Sequence, residues 1–340
     1  MGQVPGQVVR ELVDLRSELG RVAAAVNEYI ESFLRGEPSL LYEAAYHLIR
    51  GGGKRLRPFV VVEFYRMFGG DERDVIPAAA AVELIHNFTL VHDDIMDRDD
   101  FRRGVPTVHR VYGEPMAILA GDALFAKSYM ALLESSALRR DGEGFRRAVE
   151  SVTRATVVLC EGQTLDYQLS KSGSFSADDY YRLVRAKTSA LFIASAELGV
   201  IASSRYEYLD DARGFADNLG IAFQLIDDLL GLIGDPSVTG KPVGSDVREG
   251  KKTLPIALAL ERLPGEESGL LRRLWGSGSA DEESVARLVA AIRESGIEEE
   301  VRGIAESHIR RSLEHLSRFP EGEPRDLLRS LAEFVVARNY

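Results

Sequence analysis

Apolar residues recur three or four positions apart through most of the chain, the spacing that lines one face of an α-helix. Val8, Leu12, Leu15, Leu19, Val22, Val26, Ile30 and Phe33 form the first such stripe, and Gly36 and Pro38 end it. The pattern predicts further helices over 39–50, from the GGGKRLRP turn at 51–58 onward, and over 74–98, 115–138, 143–170, 178–203 and 208–233. Shorter ones follow near 251–263, 266–275, 280–295, 297–317 and 324–338. Ser176-Ala177-Asp178-Asp179 reads as an N-cap with acidic residues at the positive helix end. Ser279-Ala280-Asp281-Glu282 reads as a capping box, with Gly296 closing that helix. No segment alternates with period two between hairpin turns, so strands should be nearly absent. Charged loops rich in turn formers cover 99–114 and 236–250. The 340-residue length alone points to about two domains. No linker or repeat divides the chain, so the expectation is one all-α domain over 1–340.

Two stretches break the pattern with charge. LVHDDIMD, Leu90 to Asp97, sets Asp93, Asp94 and Asp97 into an otherwise apolar helix. Neighbouring carboxylates repel one another, and desolvating them without a cation is costly. Residues four apart share a helical face, so Asp93 and Asp97 can serve one metal cluster while Asp94 supports from the side and His86 lies two turns down. Oxygen-only ligands favour a hard cation, and magnesium shared with substrate phosphates is the usual form. QLIDDLLGLIGD, Gln224 to Asp235, repeats the device with Gln224, Asp227 and Asp228 on one face, then Gly231 and Asp235. Asp235 is roughly 12 Å beyond Asp227 along a helix, too far to share its ion.

The bulk properties narrow the class. A net charge of −11 opposes nucleic-acid binding by bulk electrostatics, so the basic residues that matter should be local. One cysteine, Cys160, rules out an intrachain disulfide framework and a Cys-rich zinc site, and fits a reducing cytoplasmic compartment. It reads as a small buried residue, and Trp275 as a packing residue near a helix end. No uninterrupted run of about 18 apolar residues is present, and no transmembrane segment or signal core is expected. In GGGKRLRP the glycines allow close backbone approach, while Lys54 and Arg57 lie three apart on one face. Arg102 and Arg103 either grip diphosphate oxygens in bidentate fashion or neutralise Asp99 and Asp100. Lys187, Lys241 and Lys251 could each supply a point charge, though spacing alone does not converge them.

Taken in order, GGGKRLRP, HNFTLVHDDIMDRDDFRRG, AKTSALF, FQLIDDLLGLIGD and GKPVGSDVREGKKTLP resemble the motifs of the trans-isoprenyl diphosphate synthases over residues 40–260. The resemblance implies an all-α bundle around a central cavity, the isoprenoid synthase fold, and a homodimer or higher homo-oligomer. It implies that Lys54, Arg57, His86 and Arg103 hold isopentenyl diphosphate. Asp93, Asp97 and Asp227 would coordinate Mg2+ on the diphosphate of an allylic partner, whether dimethylallyl, geranyl or farnesyl. Arg102, Lys187, Thr188, Gln224, Lys241 and Lys251 would complete that grip. Among these, Asp93, Asp97, Asp227 and Lys187 would be catalytic. The family's second motif usually ends in a third aspartate where this chain has Gly231, which implies weaker metal binding there.

Phe88 lies five positions before Asp93, about 7.5 Å along the helix, and Thr89 at the fourth position is small. With no insertion between Asp94 and Asp97, this resembles archaeal-type geranylgeranyl diphosphate synthases, with Phe88 as floor and a twenty-carbon product. The alternatives are a farnesyl or bifunctional farnesyl/geranylgeranyl synthase and, in another class, a non-catalytic regulatory partner subunit. A class I terpene cyclase would carry an Asn/Ser/Glu triad in place of QLIDD, which this chain lacks.

Overall fold

A computed structural model describes residues 5–172, 175–234, 243–277 and 281–337, with side chains from Leu15 on and excepting 171–172. The helices are α1 (Pro5–Phe33), α2 (Ser39–Arg50), α3 (Leu56–Arg66), α4 (Ile76–Asp97), α5 (Val108–Tyr112) and α6 (Glu114–Glu134). They continue as α7 (Ser136–Arg139), α8 (Gly142–Ser172), α9 (Ala177–Val184), α10 (Ala190–Ala202) and α11 (Leu209–Ile233). The last are α12 (Ser245–Glu249), α13 (Leu254–Arg262), α14 (Gly265–Leu274), α15 (Glu282–Glu294), α16 (Ile297–Leu316) and α17 (Glu323–Ala337). The expected all-α class is what the chain forms. Contacts sort it into two compact units. One comprises Met1–Leu159, Ala190–Ala216 and His315–Ser330; the other comprises Cys160–Ser189, Asp217–Glu314 and Leu331–Tyr340.

In the first unit α4 is the central element. From Ile76 to Ile85 every residue is buried and all but Glu83 are apolar, as in a helix enclosed on every side. It packs chiefly on α6, with α3 and α1 on other faces, and α10 packs on α3. Phe64 meets Phe215 and Phe319 edge-on, with ring centroids 5.5 and 5.1 Å away. Each such pair adds about 0.5–1.5 kcal/mol beyond the area it buries. By length and mean hydropathy alone, α6 would reach across a membrane. Asp122 and Lys127 break its apolar run in the sequence. Its inner side packs on α4, while Leu119, Met130 and Leu133 stand about half exposed.

The loop 99–114 folds further than its composition foretold. Phe101–Arg102 pairs antiparallel with Val105–Pro106, and Arg103 and Gly104 between them have φ of +54° and +76°. Positive φ at both central residues is what the common two-residue hairpin turn requires.

In the second unit the latter half of α11 buries Leu219, Ile221, Leu225, Leu229 and Leu232. α13 packs on α9 and α14, and α14 on α15. Ser176 caps α9 as expected: Asp179 N–H donates to its Oγ at 3.2 Å, and Ser176 N–H donates to Asp179 Oδ2 at 3.1 Å. The single helix expected over 178–203 is instead α9, a π-helical turn at Arg185–Ser189, and α10. Such wide turns occur often at functional sites. α15 begins at Glu282, capped by Asp281 accepting from Ser284 N–H at 2.8 Å; Ser279 lies outside the described residues. Cys160 is exposed, not buried, because its position falls on the outer face of α8. Trp275 follows α14, donates Nε1–H to the Lys251 carbonyl at 3.0 Å and packs on Phe175.

Candidate active site

The first aspartate cluster ends α4, so its carboxylates sit at the negative end of a helix dipole with no basic residue in the last turn. That placement opposes stability and calls for an outside cation. Asp94 is fully buried and accepts from Arg102 Nε, while Arg102 also pairs with Asp99 at 3.1 Å. Burial pushes the Asp94 carboxyl above the usual range despite Arg102, and its Oδ2 has no hydrogen-bond partner. Asp93 is half-buried and Asp97 exposed, one turn apart. These two supply oxygen donors of the type a hard cation takes. Among the described residues no three His, Cys, Asp or Glu side chains form a closed cage. This donor set fits magnesium, which keeps waters and shares substrate phosphates instead of filling an all-protein cage.

Opposed to these carboxylates is a dense group of cations in the same unit. Burial holds His86 well below the usual imidazole range, and Arg57, Arg103, Arg55 and Arg102 reinforce the effect in that order. Four guanidiniums thus act on one uncharged ring. Arg57 lies over the Phe192 ring, 4.5 Å from its centroid. Arg103 donates to the Gly52 carbonyl, and burial lowers its affinity for its proton. Gly52 and Gly53 have φ of +92° and +147°, and a Cβ on Gly53 would lie 2.8 Å from Arg55 and 3.0 Å from Arg103. Only glycine fits between the two guanidiniums. Of the four non-glycine residues with positive φ among the described residues, Arg55, Arg98 and Arg103 all belong to this region. Backbone strain of this kind gathers at functional sites.

Arg55 was not singled out in the sequence, yet it anchors the turn. It is buried, pairs with Glu83 at 2.7 Å, and donates to Ile49 and Gly52 carbonyls at 2.8 and 3.3 Å and to Asn27 Oδ1 at 2.9 Å. It therefore holds in place the turn on which Lys54 and Arg57 sit. Arg102 fulfils the neutralising alternative toward Asp99, while Asp100 pairs with Arg110.

Phe88, expected as the floor, also lies in this unit. Phe88 packs on Phe125 and His92, with centroids 5.4 and 5.1 Å away, and Phe125 meets Tyr129 at 5.3 Å. Thr89 donates its hydroxyl to the His86 carbonyl at 2.8 Å, so its polar atom is satisfied within the helix.

The second unit carries the other aspartate helix. Asp228 is buried; Tyr180 Oη donates to its Oδ2 at 2.7 Å and Gln224 Nε2 to its Oδ1 at 2.8 Å. Burial pushes its carboxyl up to about 8, although both hydrogen bonds oppose the shift. Thr188 donates to Gln224 Oε1 at 2.9 Å, so the π-helical turn orients Gln224 and through it Asp228. Asp227, half-buried beside this chain, is the more accessible carboxylate. Lys187 and Lys252 both donate to Asp166, each at 2.8 Å, and Lys251 pairs with Asp246 at 2.8 Å. Lys241 and Asp235 lie outside the described residues. Asp166, Tyr180, Asp246 and Lys252 went unnoticed in the sequence. Only Lys252, next to Lys251, carried a local signal.

An all-α chain with an aspartate-ended helix among clustered arginines, and a second aspartate helix among lysines, has the makings of a diphosphate-handling enzyme. The chain belongs to the polyprenyl synthetase family, whose sequence model matches residues 38–292. It is 38% identical to a geranylgeranyl diphosphate synthase of Sulfolobus acidocaldarius, over 93% of this chain and 96% of that protein. It is 39% identical to a geranylfarnesyl diphosphate synthase of Aeropyrum pernix, over 92% and 99% of the two chains. A geranylgeranyl pyrophosphate synthetase structure from Pyrococcus horikoshii superposes with a TM-score of 0.90 at 38% identity, covering 96% of this chain and 99% of that one.

Proposed function

We propose that this chain, acting as one domain, is a trans-prenyltransferase that joins isopentenyl diphosphate to allylic diphosphates and yields geranylgeranyl diphosphate. The observation that carries this is the gathering of Arg57, Arg103, Arg55 and Arg102 around uncharged His86, two turns below Asp93. Clustered guanidiniums set up a positive potential that attracts an anionic substrate. The Sulfolobus and Pyrococcus relatives, named for geranylgeranyl products, support the twenty-carbon outcome. The Aeropyrum name favours a second reading, a product one isoprene unit longer.

Lys54, Arg57, His86 and Arg103 hold the isopentenyl diphosphate. His86 contributes a hydrogen bond from its imidazole. Arg102, Lys187, Thr188, Gln224, Lys241 and Lys251 grip the allylic diphosphate. Arg102 need not leave Asp94 to do so, because a guanidinium has five N–H donors. Asp93, Asp97 and Asp227 would hold magnesium, which when bound supplies positive charge to the departing diphosphate. The allylic carbon–oxygen bond breaks with its electron pair leaving on the diphosphate, and the fixed cations stabilise that charge. The isopentenyl double bond attacks the allylic cation, a carbon–carbon bond forms, and the proton lost is taken by the diphosphate. The apolar wall of Phe88 and Phe125 keeps water from the cation and limits the length of the growing chain.

The half-exposed face of α6, with Leu119, Met130 and Leu133, supports a homodimer joined there. Leu133→Glu should shift the mass in solution toward the monomer, and an unchanged mass by light scattering counts against that face. We place the enzyme in the cytosol. The catalytic assignment is tested by Asp93→Asn, Asp97→Asn and Asp227→Asn. Each should lower kcat by at least about a hundredfold with melting preserved, and a variant that keeps full activity removes its residue from the site.

A further inference from the structure

Four side chains of the second unit close into a ring. Tyr180 Oη donates to Asp228 Oδ2 at 2.7 Å, Gln224 Nε2 to Asp228 Oδ1 at 2.8 Å, and Thr188 Oγ1 to Gln224 Oε1 at 2.9 Å. The backbone from Tyr180 into the π-helical turn Arg185–Ser189 completes the circuit back to Thr188. Gln224 and Asp228 are four residues apart on α11, so they share one of its faces. Accepting at both oxygens, Asp228 turns the Gln224 amide nitrogen toward itself and the amide oxygen toward Thr188. An amide nitrogen carries two N–H groups, so Gln224 can hold Asp228 and still offer a donor to an anion.

The turn that this ring fastens is wedged between two helices. A Cβ on Gly162 of α8 would lie 2.6 Å from the Ala186 Cβ and 3.1 Å from Lys187 Cγ, and a Cβ on Gly220 of α11 would lie 2.7 Å from Ser189 Oγ. Both glycines thus let a helix backbone come close to the turn. Ser189 Oγ also donates to the Asp217 carbonyl at 3.2 Å, and Lys187 Nζ to Asp166 at 2.8 Å. A small rotation of the turn would move Lys187, and the ring opposes that rotation. Tyr180 is its most buried member, 1% exposed on the face of α9 that also buries Leu183 and Val184. Burial holds its hydroxyl well above the ordinary range, and Asp228 adds to the shift, so it keeps its proton and remains a donor.

We propose that Tyr180 is a positioning residue for the allylic diphosphate: through Asp228 and Gln224, its hydroxyl fixes the π-helical turn that presents Lys187 and Thr188. Its effect reaches the substrate only through these neighbours. Tyr180→Phe keeps the ring of the side chain and removes one hydroxyl, so it should loosen the hold on one substrate and leave the other untouched.

This rests on the reading that Lys187, Thr188 and Gln224 grip the allylic substrate. Lys187→Met tests that reading alone: KM for farnesyl diphosphate should rise, and no rise removes it. Initial rates of the full-length protein with farnesyl diphosphate, isopentenyl diphosphate and Mg2+ give both KM values. Tyr180→Phe should raise KM for farnesyl diphosphate about tenfold, as on loss of one buried hydrogen-bond partner, with KM for isopentenyl diphosphate within about twofold of the parent. Thr188→Val breaks the other end of the ring and should act similarly, while Thr188→Ser, which keeps the hydroxyl, should stay close to the parent. Because both ends belong to one chain of contacts, Tyr180→Phe/Thr188→Val should be no more than about twofold worse than the poorer single variant, where independent effects would give roughly a hundredfold. Melting curves identify variants that fail to fold. If Tyr180→Phe is one, Tyr180→Phe/Asp228→Leu removes both partners with little loss of stability and should show the same rise in the allylic KM. An unchanged allylic KM in the folded Tyr180 variant overturns the proposal, whatever Lys187→Met does. So do KM values that rise equally for both substrates, or single effects that multiply in Tyr180→Phe/Thr188→Val.

Discussion

Replacing Glu83 by Gln keeps the side-chain shape and removes one charge from a fully enclosed ion pair. The side chains of Arg55 and Glu83 are 0% and 3% exposed, and their nitrogen and oxygen stand 2.7 Å apart. The guanidinium would keep the Ile49 and Gly52 carbonyls and Asn27, but no counter-charge. Leaving a buried cation unpaired costs about 3–5 kcal/mol, a large part of the roughly 5–15 kcal/mol that holds a domain folded. Urea denaturation should show the midpoint falling with an unchanged slope. Because Arg55 also holds the glycine turn that carries Lys54 and Arg57, KM for isopentenyl diphosphate should rise in the folded variant. Arg55→Met with Glu83→Leu should recover most of the stability, since an apolar pair of similar size replaces a buried ion pair at little cost. It should not recover KM. A loss below about 1 kcal/mol, the range of an exposed pair, would refute the reasoning.

Three other outcomes are expected. Phe88→Ala should lengthen the product until Phe125 stops it, and adding Phe125→Ala should lengthen it again; an unchanged product ladder by chromatography removes Phe88 as the floor. Asp166→Asn leaves Lys187 and Lys252 repelling each other, and should raise KM for the allylic substrate about tenfold while KM for isopentenyl diphosphate stays put; initial rates that move both equally contradict this. Asp228 is held up to about 8 in the folded protein from an ordinary 3.8, so the folded state binds its proton more tightly. Its stability contribution is complete below pH 3.8 and is lost as pH rises to about 8. Melting without divalent cations from about pH 5 to 9 should therefore fall more steeply in the parent than in Asp228→Asn, and parallel curves would exclude the effect.

The parts of the molecule legible from the sequence are those written in local pattern. Most helical stripes, the Ser176 cap and the aspartates at 93, 94, 97, 227 and 228 depend on residues within one or two turns of one another, and these stand where their spacing put them. What escaped depends on contacts between distant segments. Glu83 and Arg55 are 28 residues apart, and nothing near Arg55 distinguishes a buried anchor from another basic residue of the turn. Asp166 lies in an ordinary-looking helix, and only the approach of Lys187 and Lys252 gives it a role. The π-helical turn at Arg185–Ser189 leaves the apolar periodicity almost intact, so 178–203 reads as one helix. Cys160 was misread because cysteine is usually buried, whereas its helical face turns outward.

The most direct test is incubation of the purified protein with isopentenyl diphosphate, farnesyl diphosphate and Mg2+, followed by chromatography of the products. Twenty-carbon geranylgeranyl diphosphate should accumulate in the parent, and product should be lost both on chelation of the metal and in Asp93→Asn. No elongated product with any of the three allylic starters, or equal product without Mg2+, would contradict the function set out above.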